Sequence, residues 1–193
     1  MSPSTELDRL KGKKILVAIT GGIAAFKTAT LVSRLVQAGA EVTALMTDAA
    51  TKFVGPTTFQ SLTGRPVYTS PWQSSEDFAS QHVALARAAD AMIIAPASAN
   101  TLAKLAAGIC DNVVTTVAAA LPRSTTVLLA PAMNEQMWEN PVTGRNLATL
   151  TDLLGYHTVG PDSGWQACRT KGSGRMSEPQ AILDRVVDLL PRS

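Results

Sequence analysis

Cysteine is nearly missing from this chain: 193 residues include two, Cys110 and Cys168. Two thiols cannot build a disulfide framework, and they suit a reducing compartment. An excess of either charge is missing as well. Seventeen Lys and Arg face fifteen Asp and Glu, a net charge of +2 scattered along the chain. Without a basic stripe there is no electrostatic footprint for nucleic acid. Long apolar runs are also lacking. Pro96, Lys104 and the Asp111-Asn112 pair interrupt the longest stretches, well short of the ~20 residues a membrane helix needs. The opening segment, MSPSTELDRLKGKK, is polar and mixed in charge, so residues 1–12 read as a polar tail and not as a signal peptide. A cytoplasmic protein with no nucleic-acid or membrane partner is expected.

Apolar residues, by contrast, make up 46% of the chain and charged ones 17%, enough to fill the core of one α/β domain. Residues 14–20 (KILVAIT) form a continuous β-branched run, the pattern of a strand buried on both faces. Gly21-Gly22 breaks it, helical spacing follows over 23–38, and Gly39 stops that helix. Residues 41–46 read as the second strand, completing a unit that should cross over right-handedly in a parallel sheet. Further strands are expected at 91–95, 126–129 and 156–159. Helices are expected at 56–62, 82–89, 101–107, 112–121, 144–154 and 178–190. Residues 64–81 form a long connection, and 162–177 hold three glycines with no periodicity. The fold class is therefore α/β: an open, doubly wound parallel sheet of flavodoxin or Rossmann type, one domain over 1–193.

Ligands of such sheets bind beyond the carboxyl ends of the strands, here the turns at 20–22, 47–48, 96–101 and 131–134. The first turn continues as Ile23-Ala24-Ala25, without the third glycine of a dinucleotide fingerprint, and no acidic residue ends the second strand. Thr47 stands there instead, a hydroxyl that suits the phosphate or sugar of a mononucleotide. Pro96-Ala97-Ser98-Ala99-Asn100-Thr101 places three side-chain hydrogen bonders before a helix, a pattern that serves an anion site or an ordinary N-cap. His82 fits proton transfer near neutral pH or a helix cap. Asn134 fits a ligand donor or an N-cap, and Met137 and Trp138 a pocket wall. Cys110, among apolar neighbours, reads as a buried small hydrophobe.

Taken in order, Gly21-Gly22-Ile23-Ala24, His82 at the start of a short helix, Pro96 to Thr101, and Pro131-Ala132-Met133-Asn134-Glu135-Gln136-Met137-Trp138 resemble the motifs of the flavin-containing cysteine decarboxylases. That family comprises the phosphopantothenoylcysteine decarboxylases of coenzyme A biosynthesis and the lantibiotic peptidyl-cysteine decarboxylases. Gln166-Ala167-Cys168 followed by Gly172-Ser173-Gly174-Arg175-Met176 resembles the substrate flap of the coenzyme A branch, placed at 162–177. The resemblance implies flavin mononucleotide (FMN) held by Gly22, Ile23, Ala24, Thr47, Ser98, Asn100, Thr101 and Ala132. It implies His82 and Cys168 as catalytic residues, with Asn134, Met137 and Ala167 at the substrate. It also implies a homo-oligomer, trimer or dodecamer, with the flavin at a subunit contact. A phosphopantothenoylcysteine synthetase is the expected partner, fused in many bacterial members. Asn112 matches a family asparagine near the flavin or a subunit contact. Arg169 departs from the family's usual glycine, stiffening the flap or placing a cation near a substrate phosphate or the thiolate.

The chemistry explains the cofactor. Loss of CO₂ from an amide-linked cysteine leaves electrons at Cα, and the acylated nitrogen cannot form an imine to receive them. Oxidation of the thiol side to a thioaldehyde creates a sink β to the carboxylate. CO₂ departs to give an enethiolate, which is then reduced to the saturated aminothiol. The resemblance assigns Cys168 the proton for that last step, which the lantibiotic enzymes omit. The expected activity is therefore that of a carboxy-lyase acting on 4′-phospho-N-pantothenoylcysteine. The alternatives are a peptidyl-cysteine decarboxylase, a non-catalytic flavin-binding regulator, and a flavin prenyltransferase of the same fold.

Overall fold

The computed structural model describes residues 8–72, 81–165, 167 and 169–191. The expected strands form at β1 (Lys14–Ile19), β2 (Glu41–Met46), β3 (Ala91–Ala97), β4 (Thr126–Pro131) and β5 (His157–Thr158). They pair in parallel in the order β2-β1-β3-β4-β5. The order reverses between β1 and β3, the flavodoxin-like arrangement whose switch point is the expected ligand crevice.

Both faces of the sheet are apolar because the strands alternate between two cores. Ile15, Val17 and Ile19 of β1, with Val42, Ala44 and Met46 of β2, pack on one side. That layer is closed by α1 (Ala25–Gln37), with buried Leu31, Val32 and Leu35. Leu16, Ala18, Met92, Ile94 and Leu129 pack on the other. The first side also takes α2 (Asp48–Thr51) and α3 (Pro56–Thr63) through Ala50 and Phe59. The second takes α4 (Gln81–Ala88), α5 (Ala99–Ala106) and α6 (Val113–Ala120) through Ala86, Leu102, Leu105, Val114 and Val117. In β3, Ile93 and Ala95 face the first core, but Ala97 joins the second. The register against β4 shifts between Ile94 and Ala97, so the irregularity re-aims the turn that follows.

Several boundaries differ from those expected. The Glu135–Trp138 segment is a short helix, α7, capped by Asn134. The next helix, α8 (Pro141–Ala148), begins three residues early because Asn140 caps it and Pro141 fits its first turn. It continues as a π-helical turn over Thr149–Leu153. The region expected to be aperiodic is an antiparallel pair, β6 (Asp162–Trp165) with β7 (Lys171–Arg175). Its glycines and serines hide the period-two signal a hairpin usually gives. The last helix is α9 (Pro179–Leu189), with Ile182, Leu183, Val186 and Val187 in the first core.

Cys110 is exposed, contrary to its expected burial. α5 ends at Ala106 and α6 begins only at Val113, so Cys110 lies on the connecting loop and not on an inward helix face. Among the described residues no helix is long and apolar enough to cross a membrane, and no His, Cys, Asp or Glu group could hold a metal ion.

Glu178, the N-cap residue of α9, joins this helix to α1. Lys27 Nζ donates to Glu178 Oε1 at 2.8 Å and to the Met176 carbonyl at 3.4 Å, and Arg175 pairs with the same carboxylate. The hydrogen bond from Lys27 holds the Glu178 carboxyl below the ordinary glutamate value. A carboxyl lowered by folding adds stability above its unfolded pKa and loses it as pH falls through the folded value. Glu178 is 55% exposed, so Glu178→Gln should cost under about 1 kcal/mol at neutral pH. Urea unfolding should show this gap closing as pH falls below the carboxylate range.

Candidate active site

The crevice at the switch point is built around Thr20, a fully buried polar residue just past β1. Its hydroxyl donates to the Pro96 carbonyl at 2.6 Å and accepts from the Ser98 N–H at 3.0 Å. One side chain thus ties the turn after β1 to the turn after β3. Thr28, also fully buried, donates to the Ala95 carbonyl at 2.8 Å and fixes α1 against the same strand. From sequence Thr20 is only one member of the turn at 20–22, because nothing local signals a partner 76 or 78 residues away.

The turns following the first three strands meet closely. A Cβ on Gly21 would lie 2.6 Å from Ala49 Cβ, so only glycine lets the first turn approach the one after β2. The N–H groups of Gly22, Ile23 and Ala24 find no backbone acceptor among the described residues, while their carbonyls accept from Ala25, Phe26 and Lys27. Beside them, Thr47 caps α2 by accepting from the Ala50 N–H at 3.2 Å. Ser98 caps α5, accepting from the Thr101 N–H at 3.3 Å and donating to Thr101 Oγ1 at 3.1 Å. Thr101 is buried and Asn100 exposed. The N-cap reading of this stretch is thus observed at Ser98, and it leaves the first N–H groups of the helix available to a ligand at its start.

The turn after β4 carries Ala132, half-buried, and Asn134, exposed. Asn134 Oδ1 accepts from the Met137 N–H at 2.8 Å. With the oxygen so committed, Nδ2 is left to donate outward. Met137 is 45% exposed beside it. Strand β7 lies against this turn, with the Met133 N–H donating to the Gly174 carbonyl at 2.9 Å. The far end of the hairpin holds Ala167 and Arg169, both exposed. Cys168 lies outside the described residues.

His82 is half-buried at the second position of α4, which packs on α6. Asn112 caps α6, its Oδ1 accepting from the N–H groups of Val114 and Thr115 at 3.1 Å each. Large apolar side chains remain exposed on segments that follow the strand ends: Ile23, Phe26, Phe53 and Trp72, with Trp165 on the hairpin. The fold thus brings the expected cofactor residues together at one crevice and sets Asn134 under the hairpin. Among the described residues, no hydrogen bond joins His82 to either group.

This arrangement fits a mononucleotide. Free backbone N–H groups at two helix starts suit a phosphate, and neutral hydroxyl and amide groups suit a sugar and a ring system. The crevice floor also lacks room for side chains at Gly21.

Comparison with known proteins agrees. The flavoprotein family signature matches residues 3–191. A probable phosphopantothenoylcysteine decarboxylase of Streptococcus mutans is 44% identical over 178 residues, covering 92% of this chain and 99% of that protein. The coenzyme A biosynthesis bifunctional protein CoaBC of Haemophilus influenzae is 44% identical over 180 residues, and the match spans 93% of this chain but 44% of that protein. Among solved structures, a cysteine-to-serine mutant of PPC decarboxylase complexed with pantothenoylaminoethenethiol superposes with a TM-score of 0.83 at 34% identity, covering 93% of this chain and 98% of that one. The FMN binding protein AtHal3 superposes with a TM-score of 0.80 at 36% identity, covering 93% and 96%.

Thr20→Val keeps the shape of the side chain but strands the Pro96 carbonyl and the Ser98 N–H. It should cost about 1–3 kcal/mol, measured as a lower urea midpoint with unchanged slope.

Proposed function

The chain belongs to the flavoprotein family, and from that premise we propose that it is an FMN-dependent carboxy-lyase converting 4′-phospho-N-pantothenoylcysteine to 4′-phosphopantetheine in coenzyme A biosynthesis. The observation that carries this reading is the hairpin seated on the Asn134 turn beside the switch-point crevice. Its seating supports a site in which a neutral amide donor, a cofactor cradle and a substrate cover share one end of the sheet. The aminoethenethiol in the complex of the related PPC decarboxylase supports the same chemistry.

The N–H groups of Gly22, Ile23 and Ala24 would hold the cofactor with Thr47, Ser98, Asn100 and Ala132, while Thr101 orients Ser98. When bound, the flavin supplies a reversible two-electron acceptor for the thiol side of the substrate. The chain's own residues do the remaining work. Asn134 Nδ2 donates to the substrate carboxylate without a full positive charge, so CO₂ can leave without breaking an ion pair. His82 takes the thiol proton; an imidazole is suited to this near neutral pH. Met137 and Ala167 border the substrate. Cys168 protonates the enethiolate carbon, a role supported by the sequence Gln166-Ala167-Cys168 in the segment joining β6 to β7. Overall the substrate loses CO₂ and gains one proton, with no net redox change.

Self-association as a trimer or dodecamer in the cytoplasm belongs to this reading, supported by the exposed Ile23, Phe26 and Trp165. The bifunctional relatives support a phosphopantothenoylcysteine synthetase as partner, because the chain spans about half their length.

Flavin-loaded protein mixed with the substrate should release CO₂ and form 4′-phosphopantetheine, read by product mass. Cys168→Ser should stall at a species two hydrogens lighter, and His82→Asn should slow CO₂ release by roughly 10²–10⁴-fold. If the loaded wild type leaves this substrate untouched, the assignment fails, and peptides ending in cysteine become the candidates.

A further inference from the structure

Strand β7 grips the Asn134 turn on both sides of the asparagine. On one side the Met133 N–H donates to the Gly174 carbonyl at 2.9 Å. On the other the Ser173 N–H donates to Glu135 Oε1 at 3.2 Å. The Glu135 carboxylate also lies against Gly172. A Cβ there would sit 2.5 Å from Oε1, 2.6 Å from Cδ and 2.8 Å from Oε2. Gly172 is not among the residues with positive φ, so the backbone would accept alanine. The three atoms such a Cβ would meet first all belong to the Glu135 carboxylate, the far end of a flexible side chain. Contacts at Met133 and Glu135 of the turn and at Gly172, Ser173 and Gly174 of the strand make the two one unit.

Resting on the decarboxylase reading above, we propose that Glu135 is a positioning residue whose carboxylate clasps β7 to the Asn134 turn, setting the spacing between the substrate's carboxylate donor and the hairpin that covers it. The clasp needs an acceptor oxygen of glutamate length. Glutamine offers that oxygen in the same place, whereas alanine removes it. Alanine at 172 attacks the same contact from the strand side, because the flexible carboxylate is the group that must yield.

The test compares flavin-loaded E135A, E135Q, G172A and the double variant E135A/G172A with wild type. E135A should raise KM about tenfold, with a smaller change in kcat, and release a larger share of product two hydrogens lighter. E135Q should stay within about threefold of wild type. G172A should behave like E135A. The double variant should be no worse than E135A, because no carboxylate remains for the new Cβ to meet. Hydrogen exchange at the Ser173 amide should quicken roughly tenfold in E135A and G172A and hardly at all in E135Q. Multiplying losses in the double variant, an E135Q as impaired as E135A, or unchanged Ser173 exchange in E135A would each overturn the clasp. If the wild type itself does not turn over, the decarboxylase reading falls, and the exchange pattern alone decides the clasp.

Discussion

One buried hydroxyl carries much of this architecture. β1 and β3 are adjacent in the sheet but distant in sequence, and their connections leave toward opposite faces. The crevice between their ends would otherwise expose an unpaired Pro96 carbonyl and an unpaired Ser98 N–H in a dry setting. Thr20 satisfies both. An unmade hydrogen bond in such a place costs the full desolvation of the group, so the two turns are locked in one relative position. The starts of α1 and α5 inherit that position, and with them the free N–H groups that face the crevice.

A second constraint acts from the far side of the sheet. β4 delivers Asn134 at its carboxyl end, and the hairpin leans on that turn through Met133, Glu135 and Gly172. The hairpin's exit is tied down in turn. Asp162 accepts from the Ser177 hydroxyl at 2.9 Å, and Lys27 of α1 holds Glu178. The residue pairing with Glu178 thus belongs to the helix that starts at the switch-point crevice. The turn after β1 and the hairpin are braced through one helix, which is how segments distant in sequence keep their spacing.

The crevice is chemically mild. Its expected ligands are hydroxyls, amides and backbone N–H groups, and the side chain proposed to meet the substrate carboxylate, Asn134, is a neutral amide. A neutral site suits a reaction in which the carboxylate must be recognised and then lost as uncharged CO₂. Redox power comes from the cofactor, so the chain needs only to orient, shield and move protons.

Much of the local structure around the crevice was legible because its signals are local. Gly21-Gly22 after a β-branched run marks a tight strand-to-helix turn whatever surrounds it. Ser98 and Asn134 announce helix starts by residue type, and the five-strand alternation follows from runs of apolar residues. Local signals failed where contact partners are remote. Cys110 read as buried from its neighbours, yet the loop between α5 and α6 exposes it. The hairpin was invisible because glycine and serine carry no face preference. Alone, then, the sequence determined the five strands of the parallel sheet, the longer helices and the α/β class, since these depend on residues a few positions apart. Only the tertiary structure decided the strand order, the Thr20 bridge and the seating of β7 on Glu135. Those rest on partners 76, 78 and 38 positions away, which no local pattern of residues encodes.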